Sequence, residues 1–257
     1  MKRYQKMKAK RIVIFGLVLT AVAFGHVSAD TGVFDRFGEA NQLYAAAKYE
    51  EAAKVYEEIA KNKPSAEVYF NLGNAYFKSK KLGQAVLNYE RARRLNPRDS
   101  DVLANLSYVD RLLEYKIDDK RNWFVRKKEE LLGRVTINEC WLLALFPYFV
   151  FVAGFMLALM RKQRPIFDQA GVIALCVVIF CLVPLLLKFS EAGRGRQGII
   201  TETQSEVRYG PSTNDRIAFR LVEGLAVSIR DEKQDWYRIQ LTDGRSGWIS
   251  GSHVTPL

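Results

Sequence analysis

Histidine and cysteine are both scarce in this 257-residue chain, and their scarcity excludes most familiar catalytic chemistry. His26 falls in an N-terminal stretch that reads as a removable leader, which leaves His253 alone. No nucleophile–base pair, glycine-rich phosphate loop or metal-ligand cluster can be assembled from the remaining residues, so neither an enzyme nor a cofactor is expected. Cys140, Cys176 and Cys181 lie in or beside apolar runs and no spaced pair occurs elsewhere, which excludes a disulfide framework and zinc-type spacing. Cys176 and Cys181, five apart on one expected helix, read as small packing residues. Charge is missing from two long runs, Cys140–Met160 and Gln169–Leu187.

The formal net charge of +11 invites a nucleic-acid reading that its distribution refuses. Lys2, Arg3, Lys6, Lys8, Lys10 and Arg11 are gathered at the start, with no acid before Asp30. The rest is spread thinly and forms no basic stripe with interleaved aromatics, so no nucleic-acid partner is expected. The basic start, the apolar run Ile12–Phe24 and the small residues of Val27-Ser28-Ala29 together read as a secretory signal over residues 1–29, cleaved after Ala29. An uncleaved N-terminal anchor is the alternative. Either reading exports the segment after it.

Residues 34–97 carry one helix-pair pattern twice. The second copy reads Tyr69-x2-Leu72-Gly73-x2-Tyr76, then Ala85-x3-Tyr89-x2-Ala92-x4-Pro97. The first keeps Ala40, Ala52, Tyr56 and Pro64, so that Ala52/Ala85, Tyr56/Tyr89 and Pro64/Pro97 are each 33 apart. Small residues belong where helices cross closely, large ones fill the space between them, and each proline ends a second helix. The pattern resembles the tetratricopeptide (TPR) repeat, whose period is about 34 residues. A single such pair cannot bury its apolar face, and about three are usually needed. Residues 99–115, with Leu103, Leu106 and Ser107, read as a capping helix that completes a TPR domain over 34–115.

A TPR stack grips partners in the groove lined by its first helices. Projecting the repeat places Phe37/Phe70, Asn41/Asn74 and Tyr44/Phe77 at equivalent groove positions, with Asn71 and Asn105 as another matched set one helix face away. Asparagine can both donate to and accept from an extended peptide backbone, and the aromatic rings can pack on its side chains. Phe37 and Phe70 suit packing between helices equally well. The clamp that some TPR proteins close on a terminal carboxylate uses cations where this chain has Phe37, Asp101 and Asn105, so that mode is not expected.

At ~1.5 Å per residue, helices over 140–160 and 169–188 match a hydrocarbon core of roughly 30 Å, which predicts a transmembrane hairpin. The connecting loop 161–168 carries Arg161, Lys162 and Arg164, as a cytoplasmic loop would. The outer flanks are also basic, so the export signal decides: both soluble parts face the periplasm. Residues 116–139 form a juxtamembrane linker in which Phe124, Leu131 and Val135, with Trp123 and Leu132 adjoining, recur near helical spacing opposite Arg126, Lys127, Lys128 and Glu129. It reads either as an amphipathic helix in the headgroup region or as a solvated prop for the repeats. Gly154-x3-Ala158 and Ala170-x3-Ala174 offer small-residue faces for helix packing.

After a linker over 189–197 the texture becomes short β-type runs. Val207-Arg208-Tyr209-Gly210-Pro211-Ser212 is followed by Leu221-x2-Gly224, Asp235-Trp236-Tyr237-Arg238-Ile239 and Asp243-Gly244-Arg245-Ser246-Gly247-Trp248-Ile249. Along residues 198–257 this resembles the bacterial SH3 (SH3b) family, with Glu206 where the family tends to have asparagine. Alternation sets Trp236, Arg238 and Gln240 on one face and Tyr237, Ile239 and Leu241 on the other, and Asp243-Gly244 is a hairpin dipeptide. Trp236 and Trp248 read first as plugs of a small barrel and second as a ligand platform, with Tyr209 and Tyr237 as better candidates for an exposed face. The resemblance implies binding of peptides or cell-wall peptidoglycan.

The expected fold is thus a multidomain membrane protein: an α-helical TPR solenoid, a transmembrane helical hairpin and a small all-β SH3-like barrel. Export signal, TPR unit, hairpin and SH3b module in that order resemble the BatE family of the Bacteroides aerotolerance (Bat) operons. The resemblance implies an inner-membrane scaffold or adaptor working with von Willebrand A-domain membrane proteins and a MoxR-type ATPase, in oxidative-stress tolerance or envelope maintenance.

Overall fold

The computed structural model describes residues 31–113, 120–160, 169–192 and 196–257. The leader over 1–29, with its cleavage after Ala29, and the loop 161–168 lie outside the described residues, as does the end of the capping segment at 114–115. Met1–Arg36 separates from Phe37–Leu257 as a distinct unit. Helices α1 (Thr31–Ala45), α2 (Tyr49–Asn62), α3 (Ala66–Lys78), α4 (Leu82–Leu95) and α5 (Ser100–Leu112) come first. Then come α6 (Trp123–Gly133), α7 (Ile137–Met160) and α8 (Gln169–Ala192).

Local chemistry sets the helix ends. Ser65 Oγ accepts from the Val68 amide at 3.2 Å to start α3, and the Asp99 carboxylate accepts from the Asp101 and Val102 amides to start α5. Ala47 and Lys80, 33 residues apart, both take left-handed φ values near +60° in the turns after α1 and α3. In each turn the next amide reaches back, Lys48 N–H to the Leu43 carbonyl and Lys81 N–H to that of Tyr76. Lys63 and Asn96 leave the helical region just before Pro64 and Pro97. Ala40, Ala52, Ala85 and Ala92 are fully buried at the crossings. Gly73 lies so close that a Cβ there would sit 2.6 Å from the Tyr89 ring.

Between repeats and barrel, α7 packs on α8, and Cys140 and Ala144 from the start of α7 meet Leu185 near the end of α8, an antiparallel arrangement. Among the described residues one helical stretch, Ile137–Gly154, is long and apolar enough to cross a membrane, and the apolar stretch Leu175–Lys188 of α8 is shorter. Both helices overrun the predicted spans, α7 beginning at a Thr136–Glu139 capping box. A Cβ at Gly154 would meet nothing within 4 Å, and Ala158, Ala170 and Ala174, the other members of the small-residue faces, lie outside the residues whose side chains are described. Of the two cysteines expected to pack, Cys181 is half-buried and Cys176 is exposed, while Cys140 is buried. In α6 the expected single apolar stripe is split. Leu132 is buried, Trp123, Phe124 and Leu131 are exposed, and Val135 lies beyond the helix against the Cys140 cluster.

Seven strands form one antiparallel sheet in the order β3-β2-β6-β5-β4-β1-β7. They are β1 (Gln197–Ile200), β2 (Gln204–Arg208), β3 (Ile217–Val222), β4 (Ala226–Lys233), β5 (Trp236–Gln240), β6 (Ser246–Ser250) and β7 (Val254–Pro256). The barrel core is aliphatic: Ile200, Val207, Leu221, Val227, Ile229, Ile239, Leu241, Ile249 and Val254. Trp236 and Trp248 are therefore not plugs. The alternation of β5 turns Ile239 inward with Tyr237 packed beside it, leaving Trp236 half-buried on the outer face.

Repeats and barrel share a core. On β1, Ile200 joins the barrel, while its neighbour Ile199, 0% exposed, joins the helical cluster of Val86, Tyr89, Val102, Leu106 and Val109. Leu257 packs against the same cluster. Helix α4 has no side-chain cap of its own at Lys81; instead the Glu223 carboxylate accepts from the Gly83 amide at 2.6 Å. A negative group thus sits on the positive end of the helix. Gly83 approaches so closely that a Cβ would fall 2.8 Å from the Ile200 carbonyl oxygen. Gly224, at φ +82°, makes the β3–β4 turn, where a side chain would strike Leu113. Arg94 donates to Gln197 Oε1 at 2.9 Å. The barrel thus covers the face of α4 and α5 that a further helix pair would otherwise bury. Glu223→Ala is expected to cost about 1–2 kcal/mol, and the denaturation midpoints read by helical circular dichroism and by tryptophan fluorescence should fall together. A shift in only one signal would mean the modules unfold separately.

Candidate functional site

The helical groove is built on a repeated tyrosine–asparagine pair. Tyr56 donates to Asn41 Oδ1 at 2.5 Å, and Tyr89, one repeat on, donates to Asn74 Oδ1 at 2.7 Å. Both tyrosines are 1% exposed, so the amide oxygens satisfy hydroxyls buried beneath them. Asn105 Nδ2 donates to the same Asn74 oxygen at 2.9 Å. Asn41 and Asn74 accept from the protein's own core, which leaves their amide N–H groups for a partner, whereas Asn105 spends its N–H on Asn74 and offers its Oδ1. Phe37 and Phe70 pack on Tyr56 and Tyr89, with ring centroids 5.8 and 6.0 Å apart; of the two readings of these phenylalanines, packing between helices is the one seen.

Over this layer lies an open cavity of about 240 Å³, lined by Tyr44, Asn74, Phe77, Lys78, Tyr89, Asn105, Tyr108 and Val109. Four of the eight residues projected from the repeat, Tyr44, Asn74, Phe77 and Asn105, come together here. Phe37, Asn41, Phe70 and Asn71 are not among its lining. The matched set of Asn71 and Asn105 divides, since Asn105 turns to Asn74. Tyr108, Lys78, Tyr89 and Val109 were missed. Tyr108 follows Asn74 by one 34-residue step, so carrying the repeat onto α5 at every groove position would have found it. Its ring meets Phe77 edge-on at 5.7 Å, and the Arg111 guanidinium lies 5.8 Å above it.

Burial raises the phenols of this layer. It pushes Tyr56 up to about 12 from an ordinary 10.0. It lifts Tyr76 and Tyr89 further, Tyr76 with help from its hydrogen bond to Glu57.

In the barrel, the β2–β6–β5 register sets Arg208, Trp248 and Arg238 side by side on the outer face, with Trp236 opposite Ser250. Arg208 donates to the Asp215 carbonyl at 2.6 Å and pairs with Glu206, which also reaches Arg220 at 3.3 Å. Glu206, where the family tends to have asparagine, therefore locks the base of the loop between β2 and β3. On that loop Tyr209 is 74% exposed, whereas Tyr237 packs against the core, so only the first of the two tyrosines presents an open ring.

Two family models match the chain: the tetratricopeptide repeat over residues 66–99 and the bacterial SH3 domain over residues 202–256. The strand β1 that enters the helical core lies outside both matches. No curated protein matches the chain.

Asn74→Ala is expected to cost about 1–3 kcal/mol, because it strands the buried Tyr89 hydroxyl, and adding Tyr89→Phe should recover part of that loss in a double-mutant cycle. The pH dependence comes from the raised phenols. Unfolded tyrosines ionise near 10, before the folded ones, so their contribution is intact below that pH and is lost as pH rises through about 12. Denaturation midpoints tracked alongside phenolate absorbance check this, and a midpoint unchanged across the interval contradicts it.

Proposed function

We propose that the protein is a non-enzymatic, membrane-tethered scaffold whose helical groove holds an extended segment of a partner protein. The observation that carries this reading is the cavity in which Tyr44, Phe77 and Tyr108 supply apolar surface beside the amides of Asn74 and Asn105. Such a surface suits a peptide with bulky side chains and a backbone to be hydrogen-bonded.

The membrane reading is a two-span hairpin of α7 and α8. Leu142, Phe146 and Phe149 on α7 and Ile179, Phe180 and Leu186 on α8 are exposed apolar side chains, a surface that water would not leave uncovered. The shared core adds a constraint independent of loop charge. Val86 and Leu113 precede the pair, Ile199 comes after it, and all three lie in one body, which requires an even number of crossings between Leu113 and Ile199. With the leader read as an export signal, that body lies in the periplasm of an inner-membrane protein. The order of parts supports a BatE-type role beside von Willebrand A-domain proteins and a MoxR-type ATPase, in aerotolerance or envelope maintenance.

A second reading, an envelope anchor or sensor, rests on the outer barrel face, where Trp248 lies between Arg208 and Arg238. Aromatic rings beside donors suit peptidoglycan.

Phe77→Ala with Tyr108→Ala separates the two readings, because both side chains line the groove without serving a buried hydroxyl. On crosslinking in native membranes, the double variant should lose partner adducts at least about tenfold, equivalent to roughly 1.4 kcal/mol. Because Phe77 packs against the helical core, the melting temperature falls, and native helicity at the assay temperature is the control. Undiminished adducts would retire the groove, and retention of the full chain on purified cell wall would then favour the second reading.

A further inference from the structure

Helix α6 carries apolar surface on two sides, and only one is accounted for by the protein. Leu132 is buried, and Gly133 sits against Arg93 of α4, so this side leans on the repeats. The other side presents Trp123, Phe124 and Leu131 at 67%, 64% and 54% exposure, with the two rings edge-on at 5.8 Å. An Asn122 cap, its side chain accepting from the Phe124 amide at 3.0 Å, fixes where this aromatic pair begins.

The onward path of the chain determines the cover for this face. Arg134, Val135 and Thr136 connect α6 to α7, and three residues reach about 10 Å at most. Leu131, at the C-terminal end of the exposed face, therefore stays near the point at which α7 begins, and Trp123 lies at most about 15 Å further along α6. The capping box at Thr136–Glu139 and the Arg98–Glu139 ion pair hold that junction against the repeats. Charge points the same way. Residues 120–134 contain six cations against two carboxylates, and both carboxylates are already ion-paired, Glu129 with Arg121 and Glu130 with Lys127 and Arg134.

We propose that α6 lies in the headgroup layer of the bilayer that α7 enters, with Trp123, Phe124 and Leu131 dipping toward the acyl chains and the net positive charge of residues 120–134 drawing anionic lipid. Aromatic rings favour that layer, and helices of this kind seat their apolar face roughly 5–10 Å into it. The proposal rests on the reading of α7 as a span. It assigns α6 the work of fixing the height and tilt of the repeat–barrel body above the membrane.

The test uses the full chain in nanodiscs of phosphatidylcholine and phosphatidylglycerol, with acyl chains brominated near the glycerol end. Trp123→Phe and Trp141→Phe each remove one emitter, and subtraction from the parent isolates its signal. Trp123 is exposed, so its replacement by phenylalanine leaves the fold in place. Trp123 emission should fall at least about twofold in brominated discs, as a ring seated at that depth requires, and by less when phosphatidylglycerol is left out. Quenching of Trp141 without Trp123 would overturn the headgroup placement and leave the span standing, whereas quenching of neither would remove the span as well. A Trp123 shielded from aqueous iodide yet untouched by bromine would overturn the proposal in favour of a covering protein.

Discussion

One strand holds the molecule together. Alternate side chains of β1 point to opposite faces, so Ile199 enters the helical core and Ile200 the barrel. Two repeats and a single further helix leave one side of α4 and α5 without a helical neighbour. The barrel supplies that neighbour, and Glu223 supplies the helix cap that the sequence at Lys81 does not. What resembles two interaction modules strung on a membrane anchor is, in packing terms, one body interrupted by a helix pair.

The groove inherits its shape from the same core. Tyr89 is covered by Phe70, approached by Gly73 and hydrogen-bonded to Asn74. The Asn74 amide beside the cavity is thus fixed by the hydroxyl of an almost fully buried tyrosine. Asn41 and Tyr56 repeat the arrangement one period earlier. Pre-positioning of this kind reduces the ordering that binding would otherwise require. On the other side of α4, Val86 belongs to the same cluster as Ile199, so groove and barrel contact are two faces of one pair of helices.

Much of this was legible in the amino acids. Alanine, tyrosine and proline at a period of 33 gave the helix pairs, whereas the caps at Ser65, Asp99 and Thr136 emerged only from the structure. The alternation through Tyr237, Ile239 and Leu241 gave the inward face of β5. The tryptophans misled because size was read as burial, while the alternating register that placed Ile239 inside already placed Trp236 outside. The repeat brings Asn74 and Asn105 to the cavity but not Asn41 or Asn71, and the engagement of Asn41 and Asn74 with Tyr56 and Tyr89 depends on contacts between helices that spacing along one helix cannot reveal. The union of repeats and barrel left a fainter trace. Ile199-Ile200 is an adjacent apolar pair in a strand, which breaks alternation and marks a strand buried on both faces, yet nothing in it names the second surface.

The placement of Ile199 also bears on how the molecule is made. The ribosome completes α4 and α5 well before β1 exists, and helices α7 and α8 are synthesised in between. At about 5–20 residues per second, the newly translated repeats wait on the order of several seconds with Val86 and Leu113 uncovered. During that interval the chain itself offers no cover for this face, which makes biogenesis, more than the finished state, the exposed moment in the life of this chain.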